Sequence, residues 1–164
     1  MPEMSSVEEM WDAFVNANPQ MADVDTKYSA WHFCDNEADA NELAELVQAG
    51  QKRATAGALW AYEAEGEAIP LVGDFSVITD WDGRARCIIR ATAVDVVPFE
   101  AVSAEFASAE GEGDGSLEYW REVHWAAFGR EMDLLGMTLT KDMPVVCERF
   151  DVVFGRVDPE QRAS

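Results

Sequence analysis

Apolar side chains recur near the start of the chain at Val7, Met10, Trp11 and Phe14, the three-and-four spacing of one helical face. Ser6-Val7-Glu8-Glu9 has capping-box spacing and Asn18-Pro19 is a stop, so the pattern predicts a helix over 6–17. After a polar link, the aromatic-rich run Tyr28 to Cys34 predicts a strand. Asp35 and Asn36 can cap a second helix with Ala40, Leu43, Ala44, Leu46 and Val47 on its inner face, closed by Gly50. A short helix is expected around 58–62, broken by Gly66 and Pro70. The β-rich runs Phe75 to Thr79 and Arg84 to Val97 flank Asp82-Gly83, a hairpin signal. A short helix over 99–108 then leads into the Gly-rich acidic loop Glu110 to Gly115. Ser116 caps a long helix reaching Leu135, and Met143 to Phe154 forms a closing strand. The order α-β-α-α-β-β-α-α-β, with mostly antiparallel strands, predicts an α+β domain on a small, partly open barrel.

Composition narrows the class. The 164 residues are 48% hydrophobic, enough for one domain with a substantial core. No apolar run is long enough to cross a bilayer. Met1-Pro2-Glu3 lacks the basic start and apolar segment of a secretory leader, and Cys34, Cys87 and Cys147 read as reduced core thiols, so a cytoplasmic location is expected. Twelve basic against 32 acidic residues leave a net charge of −20, which repels phosphate backbones and acidic membrane surfaces. Duplex DNA and membranes are therefore unexpected partners. A nucleoside, a single base or an RNA held by a local basic patch stays compatible, and the oligomeric state is left open.

The acidic second helix ends at Gly50, and Lys52 and Arg53 are the first cations since Lys27. Thr55 follows three residues after Lys52, so a clustered amine and hydroxyl can hold a reactive pair at the mouth of a pocket. The bland reading is equally available: cations complement a helix C-terminus, and a β-branched threonine opens a strand. Trp11, Trp120 and Trp125 sit at helical spacing and read as core. Arg84, Arg86 and Arg90 can form a phosphate patch or, more simply, pair with the surplus carboxylates. His32 and His124 are single, separated imidazoles, so no structural zinc site is expected.

Three features in order resemble the ASCH domain family: Gly50-Gln51-Lys52-Arg53-Ala54-Thr55, matching its G-x-K-x-x-T; Val72-Gly73-Asp74-Phe75 entering the central strands; and the long strand, helix and Glu110-Gly111-Glu112-Gly113 that follow. The resemblance implies a PUA-like β-barrel flanked by helices over about residues 26–155, with residues 1–25 an N-terminal helical extension and residues 156–164 a flexible tail. It also implies an RNA-binding module. Small members of the family hydrolyse N4-acylated cytidines with a Lys, a Thr and a Glu, which fall on Lys52, Thr55 and Glu110, with Glu112 a close rival. Other members cleave single-stranded RNA with divalent metal.

The expected mechanism has Lys52 as base, its pKa lowered by desolvation and by Arg53 against the upward pull of Glu110. Thr55 attacks, and Glu110 protonates the departing amine. Arg53, Trp31 and Trp60 are the expected substrate contacts, the indoles by stacking. No metal or other cofactor is expected for hydrolysis; divalent metal belongs only to the ribonuclease alternative, and a non-catalytic nucleotide-binding module is the remaining one.

Overall fold

The computed structural model of the chain describes residues 5–157. In chain order the elements are α1 (Ser6–Ala17), β1 (Tyr28–Trp31), α2 (Glu37–Gln48), β2 (Ala54–Ala58), α3 (Leu59–Glu65), β3 (Phe75–Thr79), β4 (Ala85–Pro98), α4 (Ala104–Glu110), α5 (Leu117–Leu134) and β5 (Pro144–Phe154), with a 3-10 turn at Phe99–Ala101. The five strands form an open sheet in the order β1-β3-β4-β5-β2, so the fold is α+β. β3 pairs antiparallel with β4 and β2 with β5, while β1 runs parallel to β3.

Local chemistry explains most boundaries. Ser5, one residue before the expected cap, accepts from Glu8 N and completes a capping box with Glu8. Asn36 caps α2 and Ser116 caps α5 in the same manner. Gly50 adopts φ 78°, and Gln51 N reaches back to Leu46 O, which closes α2 with a left-handed turn.

Three expectations change. β2, Ala-Thr-Ala-Gly-Ala, does not stand out as a strand because small residues have little intrinsic β preference; pairing with β5 makes it one. The short helix before the acidic loop starts at Ala104, so Glu110 is its last residue and not part of a loose loop. Cys34 is exposed at φ 57°, whereas Cys87 and Cys147 are buried as expected.

The chain divides into two compact units, Met1–Gln51 with Gly73–Arg90 and Asp151–Ser164, and Lys52–Val72 with Ala91–Phe150. In the first, Trp11, Phe14 and Val15 of α1 pack with Phe75, Val77 and Ile88. Trp11 stacks on Tyr28 at 4.3 Å. The N-terminal helix is thus an integral wall of this core.

Arg86 donates to the Gln48 side chain at 2.8 Å and Arg90 lies 5.3 Å over the Phe75 ring, so these two arginines meet an amide and an aromatic ring. Gln48 in turn donates to Gly155 O and accepts from Val157 N, which ties down the start of the expected tail. Residues 158–164 of that tail, like residues 1–4, lie outside the described residues.

In the second unit, Ala54, Ala58, Val145 and Cys147 of the β2–β5 pair face Phe106 of α4 and Trp120, Phe128 and Met132 of α5. Gly57 is needed for a close approach: a Cβ there would lie 3.0 Å from the Tyr62 ring.

Phe14 is fully buried among three aromatic neighbours, Trp11, Phe75 and Phe154. Replacing it with Ala is expected to remove about 3–5 kcal/mol of unfolding free energy, read by urea denaturation. A loss below about 1 kcal/mol would mean that α1 is a dispensable attachment.

Candidate active site

Lys52 lies between the end of α2 and the start of β2, and its side chain is only 1% exposed. An ammonium group buried to that depth requires partners, since desolvation of an unpaired charge costs several kcal/mol. It has them. Nζ donates to Glu110 Oε2 at 2.9 Å, to Glu112 Oε2 at 3.3 Å and to the carbonyl of Ala54 at 2.9 Å. The lysine therefore does not cap α2. It reaches to the far end of α4, and Arg53 N bonded to Ala109 O at 2.7 Å holds the two segments together.

Glu110 is equally buried, and its second oxygen is also engaged. Oε1 accepts from Trp120 Nε1 at 3.0 Å and faces His124 Nε2 at 3.4 Å. Trp120 and His124 are four residues apart on α5, which puts them on one face, and their rings stack at 4.2 Å. His124 Nδ1 lies 2.8 Å from Trp120 O, and because a carbonyl only accepts, this nitrogen carries a proton. Nε2 then donates to Glu110 when the ring is doubly protonated, and presents a lone pair when it is neutral.

The two carboxylates experience opposite environments. Burial alone would raise the Glu110 pKa, but the Lys52 ammonium and the His124 hydrogen bond hold it well below the usual carboxylate range. Burial raises Glu112 and the Glu110 carboxylate adds to this; the opposing pull of Lys52 leaves it at about 7. Glu112 is also the more accessible, with 22% of its side chain exposed. For Lys52, burial works toward a lower pKa, yet Glu110 and then Glu112 outweigh it and the net shift is upward. This overturns the expectation of a neutral lysine base. The amine is held as an ammonium, and Glu112 is the group poised to exchange a proton near neutrality.

Thr55 is the second residue of β2, half-buried and directly opposite Glu148 in the register with β5. Among the described residues its hydroxyl has no hydrogen-bond partner. Strand alternation puts Thr55 and Glu148 on the face opposite to Ala54 and Cys147. Arg53 is exposed, and Trp60 is partly buried against the core of the second unit. Trp31 belongs to the first unit, where its ring meets Phe33 edge-on at 4.9 Å.

The structure thus joins Lys52 to Glu110 and Glu112, and adds Trp120 and His124, which read in sequence as core and as an isolated imidazole. Their four-residue spacing was visible. The partner that gives it meaning, Glu110, lies on a different helix. Ligand atoms of Glu110, Glu112 and His124 fall within 4.8 Å of one another, so these three are also the residues that could hold a divalent metal. Lys52 already occupies the carboxylates as a competing cation.

A family model described as ASCH domain matches residues 29–154. The chain belongs to the ASCH domain family. The crystal structure of an ASCH domain from Lactobacillus crispatus JV V101 is 36% identical, with 91% of this chain and 94% of that chain covered and a TM-score of 0.83. Protein EF3133 from Enterococcus faecalis V583 is 32% identical, with 97% and 93% covered and a TM-score of 0.81. No curated protein matches the chain. Among the described residues of this ASCH domain, no helix is long and apolar enough to cross a membrane.

The raised Glu112 has a thermodynamic signature. Its folded pKa of about 7 lies above the unfolded carboxylate value of 4.5, so the native state binds the extra proton between them. Its contribution is fully present below pH 4.5 and is lost as pH rises toward 7. Glu110, shifted downward, behaves oppositely and loses its contribution as pH falls below the ordinary carboxylate value. Urea unfolding from pH 4.5 to 8 is expected to show a decline in stability that Glu112→Gln flattens; an identical slope in the variant would refute the assignment.

Proposed function

We propose that this ASCH domain binds a nucleoside or single-stranded RNA base beside Lys52 and hydrolyses the amide of an N4-acylated cytosine. The observation that carries the reading is the pair of carboxylates on one buried ammonium, one held ionised and the other raised to about 7. Two titratable groups driven apart by their surroundings define an acid–base assignment.

In this reading a water molecule adds to the acyl carbon and its proton passes to Glu112; it takes the place of the expected Thr55, whose side chain strand alternation turns to the other face of β2. The Lys52 ammonium stabilises the resulting oxyanion, a role that needs the charge it keeps. The C–N bond then breaks, and Glu112 returns its proton to the departing cytosine amine. The carboxylic acid is released directly, with no ester intermediate. Glu110, Trp120 and His124 act through Lys52 as positioning residues. Arg53 and Trp60 border the ligand, Trp60 with the indole surface that the core leaves uncovered.

A second reading, metal-assisted cleavage of single-stranded RNA, is favoured by the cluster of Glu110, Glu112 and His124. In it these three residues would hold the ion and Lys52 would yield the carboxylates to it. The two readings separate by their metal requirement.

The deciding experiment follows N4-acetylcytidine by ultraviolet absorbance with and without EDTA. Turnover that EDTA leaves intact is expected, with Glu112→Gln lowering kcat by about 10²–10⁴. Lys52→Met is expected to remove turnover too, but it orphans a buried carboxylate at a cost of about 3–5 kcal/mol, so its folding must be verified by circular dichroism. No turnover of any N4-acylcytidine by the wild type would overturn the hydrolase. RNA degradation abolished by EDTA would transfer the site to the second reading.

A further inference from the structure

A cavity of about 480 Å³ opens in the same unit among Phe99, Glu100, Arg121, Glu122, Trp125 and Lys141. Its volume falls within the range of about 300–1,000 Å³ typical of small-molecule sites. None of these residues belongs to the Lys52 cluster. The walls are rigid. Phe99 N donates to Met143 O at 2.8 Å and Glu100 N donates to Lys141 O at 2.9 Å, which fixes the 3-10 turn against the approach to β5. Arg121 and Trp125, four residues apart, project from one side of α5, and Arg121 Nη2 donates to Glu100 O at 3.4 Å.

The floor is aromatic. Phe99 is almost fully buried, whereas Trp125 stays 38% exposed, and their rings meet at 5.2 Å and 59°. An indole half open to a cavity beside a buried phenyl ring leaves an apolar slot with no internal occupant. Four charged side chains, Glu100, Arg121, Glu122 and Lys141, line the same cavity. Arg121 and Lys141 are two of only twelve basic residues in a chain of net charge −20. Among the described residues neither makes an ion pair, although Glu100 and Glu122 line the same cavity.

Two cations, two carboxylates and an aromatic slot constrain the ligand. A purely anionic molecule meets Glu100, Glu122 and the protein's overall negative field. A purely cationic one meets Arg121 and Lys141. A molecule with both charges and a flat ring satisfies every wall. We propose that this cavity binds a free aromatic α-amino acid. Its ring lies against Trp125 and Phe99, its carboxylate meets Arg121 and Lys141, and its ammonium meets Glu100 and Glu122.

Calorimetric titration of the full chain with L-phenylalanine tests this, using Trp fluorescence as a second readout. Saturable binding is expected, weakened at least tenfold for 3-phenylpropionate, which lacks the ammonium, for phenethylamine, which lacks the carboxylate, and for L-alanine, which lacks the ring. Arg121→Gln alters an exposed position and is expected to keep the wild-type melting temperature while losing at least tenfold in affinity. Trp125→Ala also removes a ring contact with Phe99, so it is expected to lose at least tenfold in affinity with its fold verified by circular dichroism. Glu112→Gln is expected to bind L-phenylalanine as the wild type does, because the cavity is independent of the Lys52 cluster. No saturable binding at millimolar L-phenylalanine overturns the proposal, as does equal binding of 3-phenylpropionate or an unchanged affinity in both cavity variants.

Discussion

A buried ammonium cannot stay alone, and in this protein that requirement organises one whole unit. Lys52 stands at the entrance to β2, and the carboxylate that compensates it, Glu110, stands at the last position of α4. The end of a helix is an unfavourable place for a carboxylate, since the helix dipole is negative there. The ion pair offsets this and fixes where α4 must stop. Gly111 at φ 65° then turns the chain so that Glu112 returns to the same nitrogen. From the other side, Trp120 and His124 close on the remaining oxygen of Glu110. Strand, helix end, turn and long helix thus converge on one nitrogen and one carboxylate.

Such a pair is weak evidence for stability on its own, because desolvation consumes much of the Coulomb energy. Its consequence for chemistry is larger. One full carboxylate charge neutralises the ammonium, so a second at 3.3 Å is surplus and holds its proton more tightly. The result is a fixed cation, a fixed anion and a titratable acid with partial access to solvent. A neutral lysine would leave the buried Glu110 carboxylate without its compensating charge, which its burial opposes.

The same unit keeps the buried Lys52 cluster and the aromatic cavity apart on α5. Trp120 and His124 face Glu110, while Arg121 and Trp125, one residue further along, face the cavity. Phe99 lies 5.4 Å from Trp120 and 5.2 Å from Trp125, so one buried ring separates the two environments. Two sides of this helix therefore carry apolar and charged residues with distinct neighbours.

Helix starts, the long strand and the class of the fold were legible because capping, periodicity and hairpin signals act over a few residues. Ser116, Asn36, Gly50 and Asp82-Gly83 work through their own backbone and their nearest neighbours, so they mean the same in the chain as in the folded molecule. The pairing of Lys52 with a glutamate near residue 110 was legible only through family resemblance, since nothing local links positions 58 residues apart. β2 was hidden for the opposite reason: five small residues gain strand geometry from β5 and not from themselves. The protonation states depended wholly on the assembled structure. Glu110 and Glu112 are the same residue type two positions apart, and only burial, distance to one ammonium and the reach of Trp120 and His124 make one of them an anion and the other an acid.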